Sequence, residues 1–394
     1  MKRSITNISI LLLALFTGCS SESHPSQGLL TNKAVPEHIE RLFAAIPETA
    51  PEDSMSKDGQ VFMQMLPAVG REDIHANQRE WQIRAPVCEV SDHELSPVEE
   101  IVAAARETRV VIINEAHDRP RHREFIRKVA VALRSHGYSR FAAETFADSI
   151  TTRVQVKYPL IADGYYSNEP VFGSLLRTVI DLDYRLESYE YRAGITDPEM
   201  SPYDRVTARE EGQALNLKEV IESIANDEKI LIHVGYSHAS EVPIRSFGGK
   251  DLAWMANRLA EKTGINPLTI DQTDCSTDGN QPALTEASFR HEEGQFDIVV
   301  GHPALSFDQG RPAWRISDGI RVVPIPKKYR SESERVILEV RPTGESPDSV
   351  PVDRLLLWPG ESLPLLLRAG KYAVSSHFED SQTTATGTIS VGAY

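Results

Sequence analysis

The 394-residue sequence has only three cysteines and fewer bases than acids, 42 Lys and Arg against 57 Asp and Glu. The formal charge of −15 argues against a nucleic-acid partner, because phosphate binding needs a concentration of Lys and Arg. It argues equally against a polybasic membrane surface, and leaves a neutral or cationic ligand more comfortable. No CxxC or Cys/His zinc spacing is present, so a structural zinc site is not expected. There is no Gly-x-Ser-x-Gly elbow to carry a nucleophilic serine, and no internal repeat, heptad pattern or low-complexity tract. The apolar run Ile8–Phe16 is too short to span a bilayer. What remains is globular: 40% hydrophobic and 25% charged, enough for one large domain and a smaller one.

Lys2 and Arg3 followed by that apolar run form a secretory signal. Its end, Leu15-Phe16-Thr17-Gly18-Cys19, resembles a bacterial lipoprotein box. The resemblance implies removal of residues 1–18, a lipid on Cys19 and a polar tether over 19–35. A plain signal peptide cleaved elsewhere is the alternative. Ser20, where an Asp resembles an inner-membrane retention signal, points to the outer membrane, facing the periplasm. Cys88 and Cys275 are then an even pair in an oxidising compartment, either disulfide-bonded or two buried thiols.

Periodicity divides the rest. In 36–95, Pro36 opens a helix with Ile39, Leu42, Phe43 and Ile46 on one face. Residues 52–95 show little periodicity and are expected to lie over the main domain. From 96 to 326 strands and helices alternate, beginning with the Ser96-Pro97-Val98-Glu99 capping box and the strand Arg109–Ile113. Further strands are expected at Arg140–Glu144, Arg185–Tyr191, Lys229–Val234, Pro267–Asp271 and Phe296–Val300. Helices are expected from Asp118 to Leu133 and over Val171–Ile180, Pro202–Ala225 and Asp251–Thr263. The fold class is α/β, a mostly parallel sheet flanked by helices. Residues 327–394 form a small all-β, sandwich-like module of short strands.

Chemistry concentrates where buried strands end. Glu115 and His117 follow the first, Glu144 ends the second, and His238 follows Lys229–Val234. In a parallel sheet these ends share one edge, so the four side chains can converge. Two imidazoles with carboxylates suit a general base acting on water. They equally suit a divalent transition metal held by His117, Glu144 and His238. Structural duties compete: Asp118 as helix cap, Arg119, Arg121 and Arg123 as a solvated run, His233 as hydrogen-bonded core. His122, Glu124, Arg209 and His302 are secondary candidates, His122 on the core or rim face of its helix.

Asn114-Glu-Ala-His117 with Glu124-Phe125 resembles the opening signature of the erythromycin esterase family, with Glu144 at that family's second-strand Glu. The spacing Glu115-x-His117-Asp118-x-Pro120-x-His122 is similar to that of the ChaN-like lipoproteins, which are implicated in haem binding. Both belong to a wider set with the Tiki and TraB proteins, some of them metalloproteases. Arg209-Glu210, Ala214 and Asn216-Leu217 resemble a helix of these families, and Gly235-Tyr-Ser-His238 their late turn. Asn114 stands where Gly is usual and Gln213 where Met is, and no haem-ligating tyrosine aligns; Tyr165 and Tyr166 are merely available. The resemblance implies an ester or amide hydrolase, with or without a divalent transition metal. Its alternative is a haem-binding protein without catalysis, and the ligand in either case is a small molecule or peptide.

Overall fold

The computed structural model describes residues 30–31, 35–53, 56–77, 85–152, 157–192, 199–245, 249–317 and 319–392. The signal segment 1–18, Cys19 and most of the tether 19–35 lie outside the described residues.

The main sheet contains β1 (Val110–Glu115), β2 (Tyr138–Ala143), β3 (Arg185–Ser188), β4 (Lys229–Gly235), β5 (Leu268–Asp271), β6 (Ala283–Leu284) and β7 (Ile298–Pro303). Their spatial order is β6-β7-β5-β1-β4-β2-β3, with Ser276–Thr277 pairing on β7 as an eighth strand. Every pairing along that order is parallel except β6 with β7. The α/β class expected from the alternating pattern is what the chain adopts.

Pleating explains the two cores. Val111 and Ile113 of β1 point to one face and Val110 and Ile112 to the other. Among the described residues the helices longer than one turn are α1 (Glu37–Ala45), α2 (Lys57–Ala68), α3 (Glu72–Asn77), α4 (Pro97–Ala104), α5 (Pro120–Leu133), α6 (Pro170–Asp181), α7 (Pro202–Ser223) and α8 (Met255–Thr263). Helices α4, α5 and α6 cover the first face through Ile101, Ile126, Val129, Leu175 and Val179. Helices α7 and α8 cover the second through Leu217, Ile221, Met255 and Leu259. The chain steps outward from β1 to β2 and β3 over one face, then returns to β4 and β5 over the other. That reversal opens a crevice at the carboxyl ends of β1, β4 and β2, where open sheets bind ligands.

The C-terminal region contributes β8 (Ile320–Val323), β9 (Val336–Pro342), β10 (Asp353–Leu357), β11 (Leu365–Arg368), β12 (Gly370–Phe378) and β13 (Thr383–Val391). The two-residue strand Leu30–Thr31, then β13, β12, β9 and β10 form one antiparallel sheet, and β8 pairs with β11 in another. Val336, Leu338, Leu355, Leu365, Leu367 and Val374 fill their common core. Because β8 pairs inside this module, its strands begin before residue 327, the boundary expected from composition.

The N-terminal helices lie elsewhere than expected. Ile39, Phe43, Phe62 and Leu66 of α1 and α2 pack on Ile337 and Leu356 of the β-module. Those two residues alternate outward from the module's own core and need cover. Helix α2 falls where no element was expected; Pro67 and Gly59 inside it blur its periodicity, although Ser56 caps it by accepting from Gly59 N. Residues near 85–90 do run along the main sheet, Val87 bridging to Ser276 and Val90 to Thr285.

Cys88 and Cys275 are joined in a disulfide across 187 positions. Cys88→Ser is expected to cost about 2–5 kcal/mol. A urea midpoint indistinguishable from that of the parent protein would count against a stabilising role for the bond.

Candidate active site

The site rests on a buried acid. Glu115 ends β1 with no exposure to solvent. Such a carboxylate needs a counter-charge, and Arg123, just inside α5, donates Nε to Glu115 Oε2 at 2.6 Å and Nη2 to Oε1 at 2.8 Å. Arg123 also donates Nη1 to Glu169 Oε2 at 3.0 Å. Glu169 in turn caps α6, accepting from Val171 N and Phe172 N. Burial pushes the Glu115 carboxyl up, but Arg123 and His233 outweigh it and hold it well below the usual carboxylate range. The arginine run is therefore not a solvated one: Arg123 is buried as the shared guanidinium partner of two buried acids.

On this base stands His117. Its Nδ1 lies 3.1 Å from Glu115 Oε1 and its Nε2 3.5 Å from Glu144 Oε1. Glu144 follows β2 and is nearly buried. Its Oε1 accepts from the Tyr166 hydroxyl at 2.6 Å, while Oε2 lies 3.4 Å from His238 Nε2 and 3.6 Å from Arg209 Nη2. Burial pushes Glu144 up, yet His238, His117, Arg209 and the Tyr166 hydroxyl overcome it and hold the carboxyl at about 2. His238 has a second brace, with Nδ1 2.8 Å from Glu210 Oε2, which also accepts from Met255 N at the start of α8. Burial lowers the His238 pKa, and Glu210 with Glu144 raises it further than burial lowers it. Arg209 Nη1 sits 3.2 Å from His238 Nε2 while its Nε donates to Glu190.

His117, Glu144 and His238 are thus brought together, with Glu115 beneath them as a positioning residue. Arg209 joins them. His122, Glu124 and His302 do not. The buried His122 accepts from Ala116 N at 3.1 Å and stacks on His302, which contacts Gln272. Glu124 makes a surface pair with Arg127. Asp118 does not cap its helix; its carboxylate lies 2.6 Å from His75 of α3, and Arg119 occupies the cap position without a side-chain hydrogen bond. His233 lies in the core, 3.2 Å from Glu115 Oε2. Tyr166, Glu169 and Glu210 are site residues not singled out by spacing alone. Only Glu210 carried a signal, as the neighbour of Arg209.

Gly235 makes the approach of β4 to this group feasible. A Cβ there would lie 2.5 Å from His117 Cε1 and 2.9 Å from Glu144 Oε1. Gly235→Ala is expected to separate the pair and remove activity while the sheet persists; undiminished turnover would sink this reading of the contact.

A cleft of about 570 Å³ opens onto Glu144, Tyr165, Tyr166, Glu190, Arg192 and Arg209. Tyr165, 62% exposed, stands at its mouth. The expected metal set does not fit. Among the described residues no three His, Cys, Asp or Glu side chains are disposed to hold a metal ion. The Arg209 guanidinium already lies against Glu144 and His238, where a dication would meet like charge.

No protein-family model matches this sequence, and no curated protein does. Solved structures of similar architecture include the type III effector HopBA1, 17% identical over 56% of this chain and 99% of that one, with a TM-score of 0.35. The RRSP MARTX toxin effector domain from Vibrio vulnificus is 12% identical over 56% of this chain and 50% of that one, at 0.31. The ChaN protein of Campylobacter jejuni, solved in a study of cofacial haem binding, is 9% identical over 51% of this chain and 90% of that one, at 0.28. This chain thus spans nearly all of HopBA1 but about half of the Vibrio domain. At such identities and scores no activity passes from these proteins to this one.

Proposed function

We propose that the protein is a hydrolase that activates water with His117. The carrying observation is the fixed imidazole: Nδ1 is engaged by the buried Glu115, so Nε2 faces Glu144 beside the cleft. A base oriented by a carboxylate on its far nitrogen is the arrangement that general-base catalysis requires. A water between His117 Nε2 and Glu144 gives one proton to Nε2 as its oxygen attacks the carbonyl of an ester or amide. Arg209 offers guanidinium N–H groups to the developing oxyanion, with His238 held beside it by Glu210. The proton on His117 then passes to the departing alkoxide or amine, leaving acid and alcohol or amine as products.

The test is turnover of a panel of ester and amide substrates by the purified protein, with and without a chelator. Metal-independent hydrolysis that disappears in His117→Ala is the expected outcome. The absence of turnover together with a Soret band on haem titration overturns the hydrolase in favour of a haem binder.

The Cys88–Cys275 disulfide supports an exported location, because such bonds persist in oxidising compartments. On this reading Cys19 carries a lipid and the protein is held at the outer membrane. Cys19→Ser is expected to move it from the membrane fraction to the soluble periplasmic fraction; unchanged membrane association speaks against the anchor.

A further inference from the structure

The C-terminal β-module shows no chemistry of its own, yet it grips the chain segment that completes the site. Leu160 forms an antiparallel bridge with Ser349. On either side of that bridge, Ile161 N donates to Asp348 O and Val350 N to Pro159 O, both at 2.9 Å. Tyr158 Oη accepts from Ser346 N at 3.2 Å. Behind this ribbon, Arg177 of α6 donates to Glu345 at 2.9 Å and to the Val350 carbonyl at 2.6 Å. At the far end of the segment, the buried Arg354 of β10 donates to the Asn168 carbonyl and to the Ala68 carbonyl of α2, each at 3.2 Å. Arg354 is itself fixed by Glu339, which also contacts His38 of α1 at 3.3 Å.

Tyr166 lies between these two points of attachment and Glu169 directly follows the second. Tyr166 reaches Glu144, and its ring lies 4.5 Å from that of His117. Glu169 holds the other side of Arg123, the arginine that fixes Glu115. The segment 157–169 contains short 3-10 turns and no α-helix or extended strand of its own. Isolated turns of this kind hold no fixed path without outside partners. The module supplies some of them, and the main domain the rest: Ala147 N donates to Asp163 O at 2.8 Å, Tyr165 N to Thr145 O at 3.2 Å and Tyr166 N to Thr145 Oγ1 at 3.0 Å.

We propose that the β-module is a positioning element of the active site, acting through Ser349, Val350 and Arg354 on Tyr166 and Glu169. Its role is to set Tyr166 against Glu144 and His117, and it rests on the hydrolase reading only for the consequence in turnover. The geometry gives a wedge for testing it. A Cβ on Gly173 of α6 would lie 2.6 Å from Val350 Cγ1, so Gly173→Ala pushes the module from the segment it holds. Arg177→Gln loosens the same contact without adding bulk.

The experiment uses the full-length protein and two readouts. The first is the His117 ring Cε1 proton resonance, which senses the Tyr166 ring without any substrate. Gly173→Ala and Arg177→Gln are each expected to move that signal toward its position in Tyr166→Ala, with cooperative unfolding retained. The second is turnover, where each variant should lose at least about 10-fold in kcat/KM and add little to Tyr166→Phe in a double-mutant cycle. An unmoved His117 resonance in both folded variants overturns the proposal, whatever the turnover. If the resonance moves but the parent protein hydrolyses nothing, the positioning role stands and the hydrolase reading fails. Should Gly173→Ala not fold, Arg177→Gln alone decides between these outcomes.

Discussion

Replacing His117 with alanine is expected to lower kcat/KM by about 10³-fold and to leave the fold intact. The side chain is 24% exposed and packs on the Tyr166 and Tyr236 rings, so its loss leaves a space open to solvent rather than a sealed cavity. On the hydrolase reading, what disappears is the acceptor that takes a proton from water. Glu144→Gln should cost a similar factor, since a carboxylate held at about 2 is ionised throughout the working range and an amide lacks that charge. Glu115→Gln should cost less in the chemical step but more in stability, because Glu115 touches the imidazole and not the cleft. Circular dichroism and a urea midpoint separate the two effects. Near-normal turnover in folded His117→Ala would remove the general base from the mechanism.

The largest expected loss of stability is at Arg123. Substituting methionine leaves Glu115 and Glu169 buried on either side of an apolar chain, with no cation between them. Removing one partner of a buried ion pair costs about 3–5 kcal/mol, because the remaining charge stays desolvated. Lysine is a poor substitute, having one nitrogen where three nitrogens of the guanidinium now serve the two acids. The effect carries a pH signature. Glu115 titrates well below its ordinary value in the folded protein, so its ionisation stabilises the fold above the unfolded pKa of about 4.5. That contribution is lost as pH falls through the folded value. The gap between the parent protein and Arg123→Met should therefore be widest near neutral pH and narrow in acid. A gap that is constant down to pH 3 would refute the assignment of the loss to Glu115.

Much of the scaffold was legible because burial on both faces leaves an unambiguous signature. Runs such as Val110–Ile113 and Ile230–Val234 have no solvent face to blur them, and the polar residues that follow them fall on one edge of a parallel sheet. That is why Glu115, His117, Glu144 and His238 could be grouped from three separated stretches. Arg123 was misread for the opposite reason. A charged residue on an amphipathic helix looks solvated unless its partners are known, and one of them, Glu169, lies 46 positions away on a segment without periodicity. Tyr166 was unreadable on the same ground, since its path is set by contacts with Thr145 and by the attachment of Leu160 to Ser349 rather than by any periodicity of its own. Asp118 looked like a cap because acids precede helices so often, whereas its actual partner His75 belongs to a part of the chain with no pattern to place it. The placement of α1 and α2 depended on which sheet had an uncovered face, a tertiary property invisible to local spacing.

The position of β1 has a consequence for motion. It is paired on both sides by parallel strands and covered on both faces by helices, so the amides of Ile112 and Ile113 have no local opening that exposes them. In hydrogen exchange they should be among the last to take up deuterium, releasing only when the whole domain unfolds. His117, two residues beyond the end of that strand, hangs from the most slowly exchanging part of the chain. Tyr166, across from it, sits in a short 3-10 turn, where faster exchange is expected. Ligand entry by the cleft that Tyr165 and Tyr166 line is therefore expected to proceed by movement of the tyrosine side of the site against a stationary histidine.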